Sequence, residues 1–187
     1  MNFKAHLDQL EIFSRVGRIA DELGLETYVV GGYVRDLVLN RPSKDIDFVC
    51  VGSGIALAKA VADSFQEHVP LSVFKNFGTA QLFYQDWDIE FVGARKESYT
   101  HDSRNPLVEN GTLKDDQERR DFTINAMAFS LNSNNFGDLV DPFNGIADLE
   151  NKILKTPLNP DITYSDDPLR MMRAIRFATQ LNFEIES

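Results

Sequence analysis

Apolar positions near the start of the chain recur at helical spacing: Leu7, Leu10, Phe13, Val16, Ile19, Ala20 and Leu23 mark one face of a helix over residues 3 to 23, stopped by Gly24. The pattern then shortens. ETYVVGG reads as a buried strand ending in a glycine turn, YVRDLVLN as a short helix and DIDFVCV as a second strand. IALAKAVADSFQ predicts a helix opened by Gly52, Ser53 and Gly54. Strand-like LSVFK, GTAQLFYQ and DWDIEFVGA follow, the first two separated by Asn76, Phe77 and Gly78.

Periodicity fails over residues 95 to 118, which are charged and interrupted by Pro106 and Gly111, so this stretch reads as a long, mobile, functional loop. RRDFTINAMAFSL then predicts a helix and FGDLVDPF a strand or turn. SDDPLRMMRAIRFATQLNF predicts a last helix with Ser165 as cap, Pro168 in its first turn, and Met171, Met172, Ile175 and Phe177 directed to the core. The order of elements predicts an α/β domain around a mixed sheet, followed by the all-helical start of something else. The last helix has no later segment to pack against, which predicts the N-terminal part of a longer protein.

Composition narrows this picture. With 187 residues, 43% of them hydrophobic, the chain has enough apolar material for one cored domain, or one domain plus an appendage. Nineteen basic against 29 acidic residues leave a net charge of −10, which argues against a sequence-independent grip on nucleic-acid phosphates. Any polynucleotide partner needs a local basic patch, or parts of the protein outside this sequence. The lone Cys50 and a start without a signal-peptide layout predict a reducing, cytoplasmic setting, and no apolar run approaches the roughly 20 residues that span a bilayer, so no membrane partner is expected.

Candidate chemistry begins at Asp45 and Asp47. On a strand they share one face while Ile46 and Phe48 take the other, and two carboxylates so placed suit Mg²⁺, an oxygen-preferring cation commonly completed by substrate phosphates. Alone, such a pair is more often two ordinary surface acids at a strand's start. Upstream, Gly31 and Gly32 form a strand–turn–helix junction where backbone amides could approach a phosphate, although the pattern is neither a P-loop nor a dinucleotide fingerprint. Downstream, Asp88 and Glu90 offer a further carboxylate on one strand face.

Taken in order, VVGGYVRDLVLNRPSKDIDFV resembles the signature of the DNA polymerase β-like nucleotidyltransferases. Within that superfamily, GGYVRDLVLNRPSKDID, RRDFTINAMA, DPFNGIADL and DDPLRMMRAIRFA together are similar to the class II, bacterial-type CCA-adding tRNA nucleotidyltransferases and the related bacterial poly(A) polymerases. The resemblance implies an α+β palm, with a mixed sheet flanked by helices, over residues 1–142, and the start of a helical neck over 143–187. It implies that Asp45 and Asp47 bind catalytic Mg²⁺, with Glu90 as the third acid, and that Gly31, Gly32, Arg35, Arg120 and Asp121 meet the nucleotide, Asn125 lying near the ribose or holding the site. It also assigns a flexible, addition-switching role to the segment before RRDF. His101 in that segment reads as a solvated loop residue rather than a metal ligand.

Asp167 and Arg170, three apart and so expected on one helix face, carry the proposed base selection. A carboxylate accepts and a guanidinium donates, matching the amino group and ring-nitrogen acceptor that cytosine and adenine present; uracil and guanine present the reverse order. Arg173 and Arg176 continue a basic stripe toward the triphosphate, and Asp166 stands where the family usually has glutamate, a shorter reach for its contacts. The activity implied is addition of CMP and AMP from CTP and ATP to the tRNA 3′ end. Poly(A) addition, CC-only or A-only addition, or a nucleotide- or RNA-binding module without catalysis are the alternatives.

Overall fold

The computed structural model describes residues 1–100 and 103–186. His101 lies outside them. The expected N-terminal helix is broken into α1 (Lys4–Leu7) and α2 (Glu11–Leu23), which Gly24 ends in a left-handed conformation (φ 66°). β1 (Thr27–Val30), α3 (Gly32–Val38), β2 (Asp45–Cys50) and α4 (Gly54–Asp63) follow as the spacing predicts, with the Ser53 hydroxyl accepting from the Ala56 amide at the start of α4. β3 (Leu71–Phe74), a 3₁₀ turn (Lys75–Phe77), β4 (Thr79–Tyr84) and β5 (Trp87–Gly93) complete the strand-rich middle.

The expected mobile loop is instead a ribbon and a helix. β6 (Arg95–Thr100) and β7 (Ser103–Asn110) pair antiparallel with an irregularity between Ser98 and Thr100, and α5 (Leu113–Glu118) opens on a capping box in which Thr112 and Asp115 satisfy each other's backbone amides. A two-stranded ribbon has no buried face, so its sequence need not alternate: Leu107 and Val108 are exposed. It is also all edge, which tolerates Pro106.

RRDFTINAMAFSL is likewise not one helix. It yields the four-residue α6 (Thr123–Ala126) and then β8 (Ala128–Ser130), which pairs with β1. Residues 121–130 are all buried, and a continuous buried run hides whether its period is helical or extended. β9 (Leu139–Val140), α7 (Gly145–Asn151), β10 (Ile153–Leu154), α8 (Pro160–Asp166), α9 (Leu169–Leu181) and β11 (Glu184–Ile185) close the chain.

Seven strands form one mixed sheet in the order β3-β4-β5-β2-β1-β8-β9, with β2 and β5 parallel. Its two faces differ. Ile46, Phe48, Ile89, Phe91, Leu82 and Phe129 point into the main core under α2 and α4, where Phe48 lies against Phe13 and Phe91 at ring separations of 5.9 and 5.1 Å. Among the described residues the opposite face carries a small apolar patch around Val30, Val49 and Leu113. The rest of that face holds the acids. Among the described residues no helix is long and apolar enough to cross a membrane.

Candidate active site

Strand register assembles the carboxylates. Asp45 stands opposite Asp88 and Asp47 opposite Glu90 across the parallel β2–β5 pair, so side-chain alternation places all four acids on the open face. Asp45 and Glu90 are exposed, whereas Asp47 is half-buried. Burial pushes the Asp47 carboxyl up to about 6; Arg120 opposes that rise, and the negative charges of Glu90, Asp45 and Asp116 add to it.

Gly31 adjoins it with φ 72° and ψ −132°, a conformation that disfavours any side chain. A Cβ there would come within 3.1 Å of Arg120 Nη1 and 3.6 Å of Asp47 Oδ2, so the glycine keeps open the space between the acid and the arginine. Gly32 lines the same space, but α3 has only seven residues, and the cradle is the glycine turn rather than a long helix end.

The arginines are fixed by a residue the sequence reading did not single out. Asp116 is fully buried: Oδ1 accepts from Arg119 Nε at 3.0 Å, and Oδ2 accepts from Arg120 Nη2 and Nε at 2.8 and 3.1 Å. Burial raises its proton affinity, but the Arg120 and Arg119 guanidiniums outweigh that and hold its carboxyl below the ordinary value. The i, i+3 and i, i+4 spacing in DDQERR was the available signal. Glu97 on the ribbon, also missed, pairs with Arg119 at 3.4 Å and Arg95 at 3.1 Å.

A second network ties α3 to α9. Arg35 forks onto Asp36 and donates from Nη1 to Asn125 Oδ1 at 2.9 Å; Asn125 Nδ2 donates to Asp121 Oδ1 at 3.0 Å; Arg173 Nε donates to Asp121 Oδ2 at 2.6 Å. Buried Phe177 closes it, with the Arg176, Arg35 and Arg173 guanidiniums 4.8, 5.1 and 5.3 Å from its ring centre.

These groups surround a cavity of about 360 Å³ lined by Gly31, Gly32, Arg35, Asp47, Arg119, Arg120, Asp121, Asn125, Asp167, Arg170, Arg173 and Phe177. Most of the residues expected from the sequence therefore converge. Asp45 and Glu90 do not line this cavity, and Arg176 is not among its lining residues either. Asp167 and Arg170 do not share a helix face as expected: Asp167 lies in the turn between α8 and α9, its Oδ1 accepting the Leu169 amide, while Arg170 reaches the Arg119 carbonyl at 2.8 Å. Ser165 sits within α8 and is not the α9 cap, and Pro168 precedes α9. Met171, Met172 and Ile175 are exposed rather than core; of that set only Phe177 is buried. Asp166 borders a small separate cavity beside Lys96 and Glu97.

With that geometry in place, one comparison decides the family: residues 27–155, more than half of the chain, match the Poly A polymerase head domain. The chain belongs to this family. Relatives of this head-domain protein include the A-adding tRNA nucleotidyltransferase of Aquifex aeolicus, 45% identical over 161 residues that cover 86% of this chain and 19% of the relative. The CCA-adding enzyme of Lactobacillus helveticus is 38% identical over 170 residues, 89% of this chain and 40% of its own length. A solved structure, a tRNA nucleotidyltransferase complexed with a primer tRNA and an incoming ATP analog, superposes with a TM-score of 0.80 at 43% identity over 91% of this chain and 46% of that one. The head-domain chain spans between about a fifth and about half of the length of these proteins. The expected α+β palm, a mixed sheet flanked by helices, is the fold observed.

The residues also fit a hard divalent cation. Asp45, Asp47 and Glu90 supply oxygen donors only. Among the described residues no three His, Cys, Asp or Glu side chains form a ready-made cage, and a Mg²⁺ held by one or two carboxylates and completed by substrate phosphates requires none.

Proposed function

We propose that this chain is the catalytic head, residues 1–142, and the first part of the neck, residues 143–187, of a template-independent nucleotidyltransferase that adds CMP and AMP from CTP and ATP to the tRNA 3′ end. One observation carries the reading: Asp47 stands beside a triphosphate-sized cavity and is flanked by Arg119 and Arg120, both anchored on buried Asp116. Names of relatives support the substrate class, and the geometry supports the roles.

In the reaction the terminal ribose hydroxyl oxygen attacks the α-phosphorus. The new O–P bond forms as the bridging α–β P–O bond breaks, pyrophosphate departs with that electron pair, and the hydroxyl proton passes to solvent. Arg120, Arg119 and Arg173 face the triphosphate, whose charge guanidinium forks match. Arg35, Asp121 and Asn125 fix the ribose side, and the Gly31–Gly32 turn leaves room for phosphate oxygens. Asp45 and Asp47, with Glu90 beside them, would hold Mg²⁺, which would supply positive charge against the triphosphate and the attacking hydroxyl. Asp167 and Arg170 read the base, and Arg176 supports α9 through Phe177.

The test offers full-length protein tRNAs ending at the discriminator base, at C and at CC, with each nucleoside triphosphate in turn. Extension of all three to CCA is expected. Incorporation of A alone onto unrelated RNA would replace this reading with poly(A) addition. A narrower reading, A addition only, is favoured by the name of the Aquifex aeolicus relative and predicts extension of the CC-ended tRNA alone.

A further inference from the structure

Asp47 borders a second cavity, of about 480 Å³, on the other side of the arginines. The two cavities share Asp47, Arg119 and Arg120 and otherwise have different walls. The second is lined by Glu90, Thr79, Val92 and Arg95 and by two phenylalanines, Phe74 and Phe77.

The strand register explains this wall. On the acid face, Asp47, Glu90 and Gln81 form one cross-strand row, and Val49, Val92, Thr79 and Phe74 form the next. The second row therefore runs from the sheet's centre to its β3 edge and ends in an aromatic ring. Phe77 adds another from the turn between β3 and β4. Both rings are accessible: Phe74 is 44% and Phe77 74% exposed, beside a reaction centre and away from the main core.

We propose that this cavity seats the 3′-terminal nucleotide of the acceptor RNA, with Phe77, backed by Phe74, stacking on its base. The inference rests on the nucleotidyl-transfer reading above. A transfer reaction brings two substrates to one acid, and the hydroxyl must approach the α-phosphorus from the side opposite the leaving pyrophosphate. With the triphosphate in the first cavity, the second lies where the strand end has to come. Its chemistry suits a single strand: aromatic faces for bases, with Arg95 and Arg119 for phosphate oxygens. Stacking is indifferent to base identity, which an enzyme needs when each addition changes the terminal base. Selection of the incoming base and reception of the outgoing strand thus use different walls.

Phe77→Ala and Phe77→Trp in full-length protein test this. Phe77 is exposed in a turn, so neither change removes core packing. Anisotropy titration of a fluorescein-labelled single-stranded RNA ending in CC needs no turnover; Phe77→Ala should weaken binding by about tenfold, on the order of one base–aromatic stack, and Phe77→Trp should retain it. In turnover the Ala variant should raise KM for RNA by a similar factor and leave KM for ATP within about twofold. Unchanged RNA binding by Phe77→Ala, or an equal rise in both KM values, would overturn the proposal. Wild-type protein that extends no RNA would overturn the transfer reading instead, and the titration still decides whether Phe77 contacts RNA.

Discussion

Asp47 and Phe48 are adjacent in β2, yet they belong to opposite faces of one sheet with opposite requirements. Phe48 is fully buried among aromatic rings and α-helices, where apolar contact supplies stability. Asp47 faces a surface crowded with like charge, and its carboxyl is pushed up to about 6 because it is buried beside Glu90, Asp45 and Asp116. One face is optimised for the folded state. The other carries a crowding of charge that, under the proposed function, a bound cation and triphosphate would relieve.

The largest effects should separate the two faces cleanly. Phe48→Ala should cost about 3–5 kcal/mol and lower Tm by roughly 10 °C in a thermal melt, while activity per folded molecule stays near wild type. Asp47→Ala should do the reverse, cutting nucleotide incorporation by on the order of 10³-fold, the scale of losing a principal charge-organising group, with a melt at or a few degrees above wild type. A large stability loss in Asp47→Ala would break the comparison.

Base selection comes next. Arg170→Lys replaces a planar fork with a point charge, and competition assays should show the preference for CTP and ATP over UTP and GTP falling by about 10- to 100-fold. An unchanged ratio would remove Arg170 from the selecting wall.

Asp116 and Asp47 should respond to pH with opposite sign. Asp116 is held below its ordinary value, so its contribution to stability is full above the unfolded value of 3.8 and is lost as pH falls through the lower folded value. Asp116→Asn should therefore flatten the acid limb of the stability–pH curve. Asp47 is raised, so its contribution is full below 3.8 and declines as pH rises through about 6. At pH 7 in chelator, Asp47→Asn should raise Tm by a few degrees, about 2–4 °C, and added Mg²⁺ should narrow that gap by stabilising only the wild type.

Legibility in the sequence followed burial. Strands β1, β2, β4 and β5 and helix α4 were readable because each has one core face with a clear period or apolar run. The β6–β7 ribbon was not, because it lacks a buried face, and RRDFTINAMAFSL was not, because everything in it after its two arginines is buried. At the site, residue types and order nominated Asp47, Gly31 and Arg170, and the family resemblance added Arg120. Nothing local marked Phe74 as exposed, since an aromatic in a strand pattern ordinarily reads as core, and Phe77 was legible only as part of a turn.

By itself, the sequence determined directions. Period-two alternation sends Asp45 and Asp47 one way and Phe48 the other, and the left-handed turn at position 31 demands glycine, because these follow from local sterics. Only the tertiary structure decided proximity. The parallel register that sets Asp47 opposite Glu90, the bond from Arg35 to Asn125 across 90 positions, and the meeting of Arg173 with Asp121 across 52 depend on how the sheet and helices close on one another. Such closure is fixed by packing among distant residues, which no local periodicity encodes.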